Sequence, residues 1–403
     1  MSSLQVGPIK NFCLGIYDGP HATPKESDEG PIYLGIKNVT PQGNLDFSEI
    51  KHVSEQEFPK WTRRVLPQRN DIVFSYEATL HRYALIPEGF RGCLGRRMAL
   101  VRPNPKKVNP RFLHYYFLTP FWRAVVEAHI ISGATVDRIP LKKFPDFEVR
   151  LPSLDTQQYI ASILSAYDDL IEKNRRRIHL LEQAARLLYK EWFIHLRFPG
   201  YEHAKIIDGV PEGWGKKTAF ESMDILSGGT PSTRVPDYWG GIIPFYTPKD
   251  AADEAYVSIT EKTITEDGLH NCSSKLYPKD TVFITARGTV GKINLAQRAM
   301  ALNQSCYALV GHPPVTQHYL YFALKEGVEQ FRSRAVGAVF DAVIRDTFKL
   351  IPFVVPDTKL IDLFLTHASP ILRQIDILSE SSRNLQAARD LLLPRLMNGE
   401  VTV

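Results

Sequence analysis

The sequence predicts an α/β protein made of two tandem mixed α/β domains, each followed by one long helix. The two helices are expected to pair as an antiparallel coiled-coil spacer. Three observations carry this prediction. The chain repeats itself in order, each repeat passes from short apolar runs into a glycine-free helical stretch, and both stretches carry heptad seams.

The repeat is read piece by piece. The turn Asp18-Gly19-Pro20-His21-Ala22-Thr23-Pro24 has a partner in Ser227-Gly228-Gly229-Thr230-Pro231. The run Gln68 to Phe74 returns as Tyr277 to Phe283, with Asp71 set on Asp280. Ser132 to Asp137 returns as Val336 to Asp341, and Gln183-Ala184-Ala185-Arg186 recurs unchanged at Gln386-Ala387-Ala388-Arg389. The order never changes and the offsets drift only as loop insertions would make them. Two diverged copies of one fold are therefore expected.

Within each copy, apolar runs such as Asp71–Phe74, Met98–Val101 and Thr281–Thr285 read as strands between Gly and Pro turns. The edges Leu151-Pro152 and Val355-Pro356 close these sections. A helix of about 40 residues then runs from about Asp155 to Phe193, with a seam of Tyr167, Ile171, Asn174, Ile178, Leu181, Ala185, Leu188 and Trp192. The second, about Lys359 to Leu396, places Ile371, Ile375, Leu378, Ser382, Leu385, Arg389, Leu392 and Leu396 on its seam. Pro394 is expected to stop or kink its last turn. The boundaries follow as a first domain at 1–152, a central spacer helix at 153–198, a second domain at 199–356 and a C-terminal spacer helix at 357–403.

Bulk composition narrows the class without naming it. The 403 residues, 44% hydrophobic and 23% charged, suit two cores and their connections. No apolar run approaches the roughly 18–20 residues of a membrane span, and Met1 to Lys10 lacks a signal-peptide layout. Cys13, Cys93, Cys272 and Cys306 are too scattered for a zinc site or a disulfide framework, so a cytoplasmic setting is expected. The net charge of +5 permits a polyanionic partner and decides nothing alone.

Two helices of this length, each about 60 Å long, would hold two domains apart as readers of two short DNA sites. Diverged domains need not read the same bases, so a split, asymmetric site is expected.

At this point the residues resemble a family. Leu226-Ser227-Gly228-Gly229-Thr230-Pro231-Ser232, Asp237-Tyr238-Trp239, Ile243-Pro244-Phe245, and Asp280 to Ile284 leading to Arg287-Gly288 are similar to the target-recognition domains of type I restriction-modification specificity subunits. Leu391-Leu392-Leu393-Pro394-Arg395-Leu396-Met397-Asn398-Gly399-Glu400 resembles that family's closing helix. The resemblance implies a non-catalytic subunit that reads a bipartite site on double-stranded DNA. It also implies docking of two adenine methyltransferase subunits, which would use S-adenosylmethionine, and recruitment of motor and endonuclease subunits. No cofactor or metal is expected on this chain itself.

Contacts to DNA call for Arg, Lys and small polar donors to phosphate and for planar or bidentate groups to bases. The candidates in the first domain are Lys37, Asn38, Arg63, Arg64, Tyr76, Arg82, Arg96, Arg97, Lys106 and Lys107. In the second they are Thr230, Ser232, Thr233, Arg234, Lys249, Lys275, Arg287, Lys292, Asn303 and Gln304. Lys173, Arg175, Arg176 and Arg177 read instead as a solvated or partner-docking helix face. The aromatics Tyr115, Tyr116, Phe117, Phe121 and Trp122 are assigned to the core.

Catalytic motifs are not found. His312-Pro313-Pro314 lacks the acid or amide and the aromatic of an adenine methyltransferase motif, and Gly288 to Lys292 lacks phosphate-loop spacing. Pro145-Asp146-Phe147-Glu148 is read as surface, with no lysine expected to complete a nuclease centre. A stand-alone bivalent DNA-binding regulator is the alternative reading, distinguished by whether the chain binds a methyltransferase. A single-chain restriction enzyme would require metal-dependent cleavage.

Overall fold

A computed structural model describes residues 4–132, 136–334 and 342–401. The repeat piece at 133–135 and 336–341 lies outside the described residues. The chain divides into two compact units, Met1–Ile171 with Asn384–Val403, and Glu172–Arg383. The division passes through both long helices.

In the first unit an antiparallel sheet orders the strands Cys13–Asp18, Met98–Pro103, Ile72–Ser75 and Tyr83–Leu85. A second sheet sets Ser27–Leu34 between Lys51–His52, antiparallel, and Gly92–Leu94, parallel. The second unit repeats this plan. Met223–Ser227, Cys306–Gly311, Val282–Thr285 and Ile293–Ala296 follow the same order, and Tyr256–Val257 adds a fifth strand. Trp239–Tyr246 again lies between an antiparallel strand, Lys262–Ile264, and a parallel one, Ala301–Leu302. The two halves thus share topology and pairing sense, as the sequence repeat predicts.

The structure corrects the register of that repeat by one residue. Asn70 N–H donates to Ile86 O, and Asp280 N–H donates to Ala296 O in the equivalent place. Both residues are left-handed, with φ of 69° and 66°. Asp280 therefore corresponds to Asn70 and not to Asp71. Asn and Asp are the non-glycine residues that tolerate this region best, so the position accepts either letter. Asp71 is instead buried and paired with Arg102 at 2.7 Å.

Helices in the first unit begin where the sequence supplies caps. Asn109 and Thr119 each accept from the backbone N–H three residues on, and each is followed by proline. Tyr115, Tyr116, Phe117 and Trp122 are buried there, and the Trp122 indole donates to the Tyr83 hydroxyl at 3.0 Å. Phe121, expected in the core, is exposed. On a short amphipathic helix its neighbour Trp122 takes the inward face.

The central helix spans Leu154–Tyr189 and ends in a π turn, Lys190–Ile194. The C-terminal helix spans Thr358–Met397. It runs past Pro394, which was expected to stop or kink it. Leu393 and Leu396 are buried on either side of that proline and hold the last turn against the core. In the first unit the start of the central helix (Ile160, Ala161, Leu164) shares one core with the end of the C-terminal helix. In the second unit Ile178, Ala185, Tyr189 and Trp192 share a core with Ile361, Phe364, Ala368, Leu372 and Ile375. The start of the central helix thus meets the end of the C-terminal helix in the first unit, and its end meets the start of the C-terminal helix in the second. Every seam position read from the sequence is buried or half-buried.

All four cysteines are free. Asp146 forms an exposed ion pair with Lys10 at 2.6 Å. That lysine is carried by the short 3-10 turn Ile9–Phe12, and the pair lies on the surface, as expected for this segment.

Burial of His114 gives the first unit an acid-sensitive core. Loss of solvent lowers its pKa from 6.5 to about 4, against the opposing attraction of Asp168. Above pH 6.5 both folded and unfolded chains hold the neutral ring, so burial carries no protonation penalty. Between about 6.5 and 4 the unfolded chain takes up a proton that the folded chain does not, and stability falls as the pH falls. The expected loss between pH 7 and pH 5 is about 2 kcal/mol. Denaturant titrations at the two pH values test this, since His114→Gln should remove that part of the difference.

Candidate nucleic-acid interface

One edge of each unit gathers most of the candidate contacts. In the first unit it is formed where Cys13–Asp18, Ser27–Leu34, Ile72–Ser75 and Gly92–Leu94 end and Met98–Pro103 begins. Arg64 pairs with Asp18 at 2.6 Å and donates to Gly19 O at 3.0 Å. His21 bridges Asp18, at 3.0 Å, and the Tyr76 hydroxyl, at 3.2 Å. Burial, with Glu77 and Asp18 close by, raises the Tyr76 pKa, so the hydroxyl stays a hydrogen-bond donor at neutral pH. Arg97 pairs with Glu77 at 3.0 Å, and the Arg96 backbone N–H donates to Tyr33 Oη at 2.8 Å. Arg82 closes the adjoining hairpin through its carbonyl, which accepts from Ser75 N–H. Lys37 follows the strand Ser27–Leu34 and is 89% exposed beside Glu49. Arg63 is exposed next to Arg64.

Two sequence candidates stand elsewhere. Lys106 and Lys107 follow the opposite end of Met98–Pro103, and Lys107 donates to Asn11 O at 2.9 Å. Asn38 is buried, with its amide committed to Gly35 N–H, Asp46 O and Glu49 O. It shapes the loop that presents Lys37.

The second unit builds the corresponding edge from different residues. Thr230 Oγ1 donates to Gln304 Oε1, tying the Gly228-Gly229 turn to the loop after Ala301–Leu302. Gly228 and Gly229 pack against Leu302, Asn303, Ser273 and Ser274 so closely that a Cβ would lie within about 2.2 Å of neighbouring atoms. Asn303 Oδ1 accepts from Ser305 N–H at 3.0 Å. Arg287 is exposed at the tip of a hairpin whose Thr289 hydroxyl donates to Pro248 O at 2.9 Å. Lys249 stands beside that contact, 79% exposed and 3.5 Å from Glu261. Lys292 pairs with Asp253 at the hairpin base. Lys275 follows Ser274, whose hydroxyl accepts from Leu302 N–H. Ser232, Thr233 and Arg234 are exposed on the loop leading to Trp239, whose indole donates to Ser232 O at 3.2 Å.

Sequence reasoning passed over Asp18, His21 and Glu77, because acids and histidine were not sought as partners for the loop cations. The repeated turn held the signal: aligning Gly19 with Gly228 sets Asp18 on Ser227. Both edges offer donors, planar guanidinium and amide groups, and flexible lysines, which is the chemistry of phosphate and base contact. Among the described residues, no group of three or more His, Cys, Asp or Glu could hold a metal ion. No described helix is long and apolar enough to cross a membrane.

Comparison with known proteins agrees with the duplication. The family described as type I restriction modification DNA specificity domain matches the chain twice, over residues 29–183 and 211–361. The chain is 24% identical over 371 residues to the type I restriction enzyme HindI specificity subunit of Haemophilus influenzae, covering 76% of this chain and 80% of that one. It is 31% identical over 157 residues to the MjaIX specificity subunit of Methanocaldococcus jannaschii, covering 38% and 36%. The crystal structure of the type I restriction-modification S subunit from M. genitalium shares the fold, with a TM-score of 0.56 at 16% identity over 98% of this chain and 96% of that one.

Proposed function

The chain belongs to the type I restriction-modification DNA specificity family, and from that premise we propose that it reads a bipartite, asymmetric site on double-stranded DNA for a methyltransferase complex. The observation that carries this reading is the duplicated edge. One fold, present twice, presents donor-rich loops of different composition, as two half-sites of different sequence would require.

In this reading the chain performs no chemistry. Its partner methyltransferase subunits, using S-adenosylmethionine, flip the target adenine out of the duplex, and motor and endonuclease subunits join that assembly. The paired helices supply the docking surface. Leu180 and Leu187 stand one heptad apart on the central helix and are each 62% exposed, and Ile194 continues the stripe. On the C-terminal helix Leu363, Ile377 and Leu391 are exposed at two-heptad intervals. An apolar stripe of this period fits a further helix of a partner, and it favours an assembled subunit over a stand-alone regulator.

Sequencing of methylated adenines in a host that expresses the chain with its methyltransferase tests the proposal. The expected motif has two unlike short half-sites separated by unread base pairs. A contiguous or palindromic motif would contradict it.

A further inference from the structure

The two half-sites share a phosphodiester backbone and differ in bases. In a duplicated reader, positions that keep residue and geometry serve what is common, and positions that keep geometry but change chemistry serve what differs. Resting on the DNA-reading function above, we propose that Lys37 and Lys249 grip the DNA backbone in the two halves, while the tip of the equivalent hairpin reads bases through Glu77 with Arg97 in one unit and Arg287 in the other.

The lysines are equivalent in detail. Each follows the middle strand of its three-stranded sheet, Ser27–Leu34 or Trp239–Tyr246, at the same distance. The loop is capped alike, with Gly35 N–H donating to Asn38 Oδ1 at 3.0 Å and Thr247 N–H to Asp250 Oδ2 at 2.8 Å. Each lysine also faces a glutamate, Glu49 at 4.0 Å and Glu261 at 3.5 Å, with both lysines almost fully exposed. Exposed ion pairs of this kind are weak, so a phosphate can displace the carboxylate. A flexible ammonium is a point charge suited to phosphate rather than to base edges.

The hairpins are equally matched in backbone. Ser75 Oγ donates to Thr79 O and Thr285 Oγ1 to Thr289 O, while Ser75 N–H and Thr285 N–H donate to Arg82 O and Lys292 O at 3.1 and 3.0 Å. Gly288 and Gly291 adopt φ of 79° and 74°, and the first unit keeps the same turn with Ala78 at 70° and His81 at 59°. A turn retained with side chains in the left-handed region is held by its surroundings. On that shared frame the residue before the first left-handed position changes from Glu77 to Arg287. A guanidinium matches the two acceptors of guanine, whereas a carboxylate accepts from the cytosine amino group.

The test uses the full chain in complex with its methyltransferase and a pool of DNA duplexes with randomised half-sites, sorted by binding at two salt concentrations. Lys249→Gln is expected to weaken binding several-fold for all sequences alike and to lower the salt slope by about one, with base preferences unchanged. Arg287→Gln is expected to reduce preference for guanine at one position of one half-site by about 10-fold or more, leaving the other half-site untouched. Glu77→Gln should act on the other half-site only. Uniform weakening by Arg287→Gln, or an altered base preference in Lys249→Gln, overturns the assignment while the wild-type two-part preference stands. A wild-type complex with no two-part preference overturns the DNA-reading function itself, and this inference with it.

Discussion

Replacement of Arg389 by methionine is expected to destabilise the first unit by about 2–3 kcal/mol, lowering its thermal midpoint by about 5–10 °C. Arg389 is 7% exposed and lies on the heptad seam of the C-terminal helix. Its guanidinium donates to Asp168 Oδ1 at 2.5 Å and to Asp390 Oδ1 at 2.8 Å, and Asp168 Oδ2 accepts from the Tyr115 hydroxyl. The network fastens the end of the C-terminal helix to the start of the central helix and to the helix Pro110–Phe117. Removing the arginine leaves a half-buried carboxylate with one neutral donor, and breaking a buried pair from one side is the expensive way to break it. Asp168 keeps 31% of its side chain in solvent, so the expected loss lies below that of a fully enclosed pair.

The same tetrapeptide provides an internal control. Arg186, in the first copy of Gln-Ala-Ala-Arg, pairs with Glu326 at 3.5 Å and with Glu329, and its side chain is 37% exposed. Glu326 is buried, but Lys190 also pairs with it at 3.4 Å, so Arg186→Met leaves that carboxylate a cation and is expected to cost less than Arg389→Met, about 1 kcal/mol. Scanning calorimetry of the two variants measures the contrast. Equal losses would mean that the burial of Arg389 contributes nothing. Pairing Arg389→Met with Asp168→Leu should recover part of the loss, because the unpaired charge goes with its partner.

Placing aspartate at both Leu180 and Leu187 is expected to abolish capture of the methyltransferase while leaving the thermal midpoint within about 2 °C. Both side chains project from the central helix with 62% of their surface in water, so the folded chain loses little when they become polar. A partner helix seated on the stripe would instead have to bury two carboxylates. Apolar anchors at such positions are commonly worth 2 kcal/mol or more each in binding, and the paired substitution should weaken the complex by roughly 1,000-fold or more. Co-purification and sedimentation of the mixed subunits report the result. Intact assembly with the doubly substituted chain would place the docking surface elsewhere.

The long helices were the most legible part of the fold. Seam positions such as Ile178, Ala185, Leu378 and Leu392 recur at three and four residues, and only a helix buries that spacing on one side. The edges of the two units were legible as loops rich in donors, but not residue by residue. Asn38 and Arg64 read alike as polar loop residues. One proves to be a buried loop brace, and the other is a surface guanidinium held by Asp18. Partners such as Asp18 and Arg64, or Glu77 and Arg97, come from separate segments of the chain, and no local pattern announces them.

Features that depend on near neighbours and on repetition could be read from the letters: the duplication, the period of the two long helices and the prolines that close each mixed section. Tertiary structure alone decided which polar residue is buried and with whom. It set Asp280 on Asn70 through a shared left-handed turn, carried the C-terminal helix past Pro394 by burying Leu393 and Leu396, and gave one Gln-Ala-Ala-Arg a buried arginine and the other a half-exposed one. The physical reason is that burial and charge pairing depend on segments distant in the chain. Identical letters therefore acquire different energies once those segments meet.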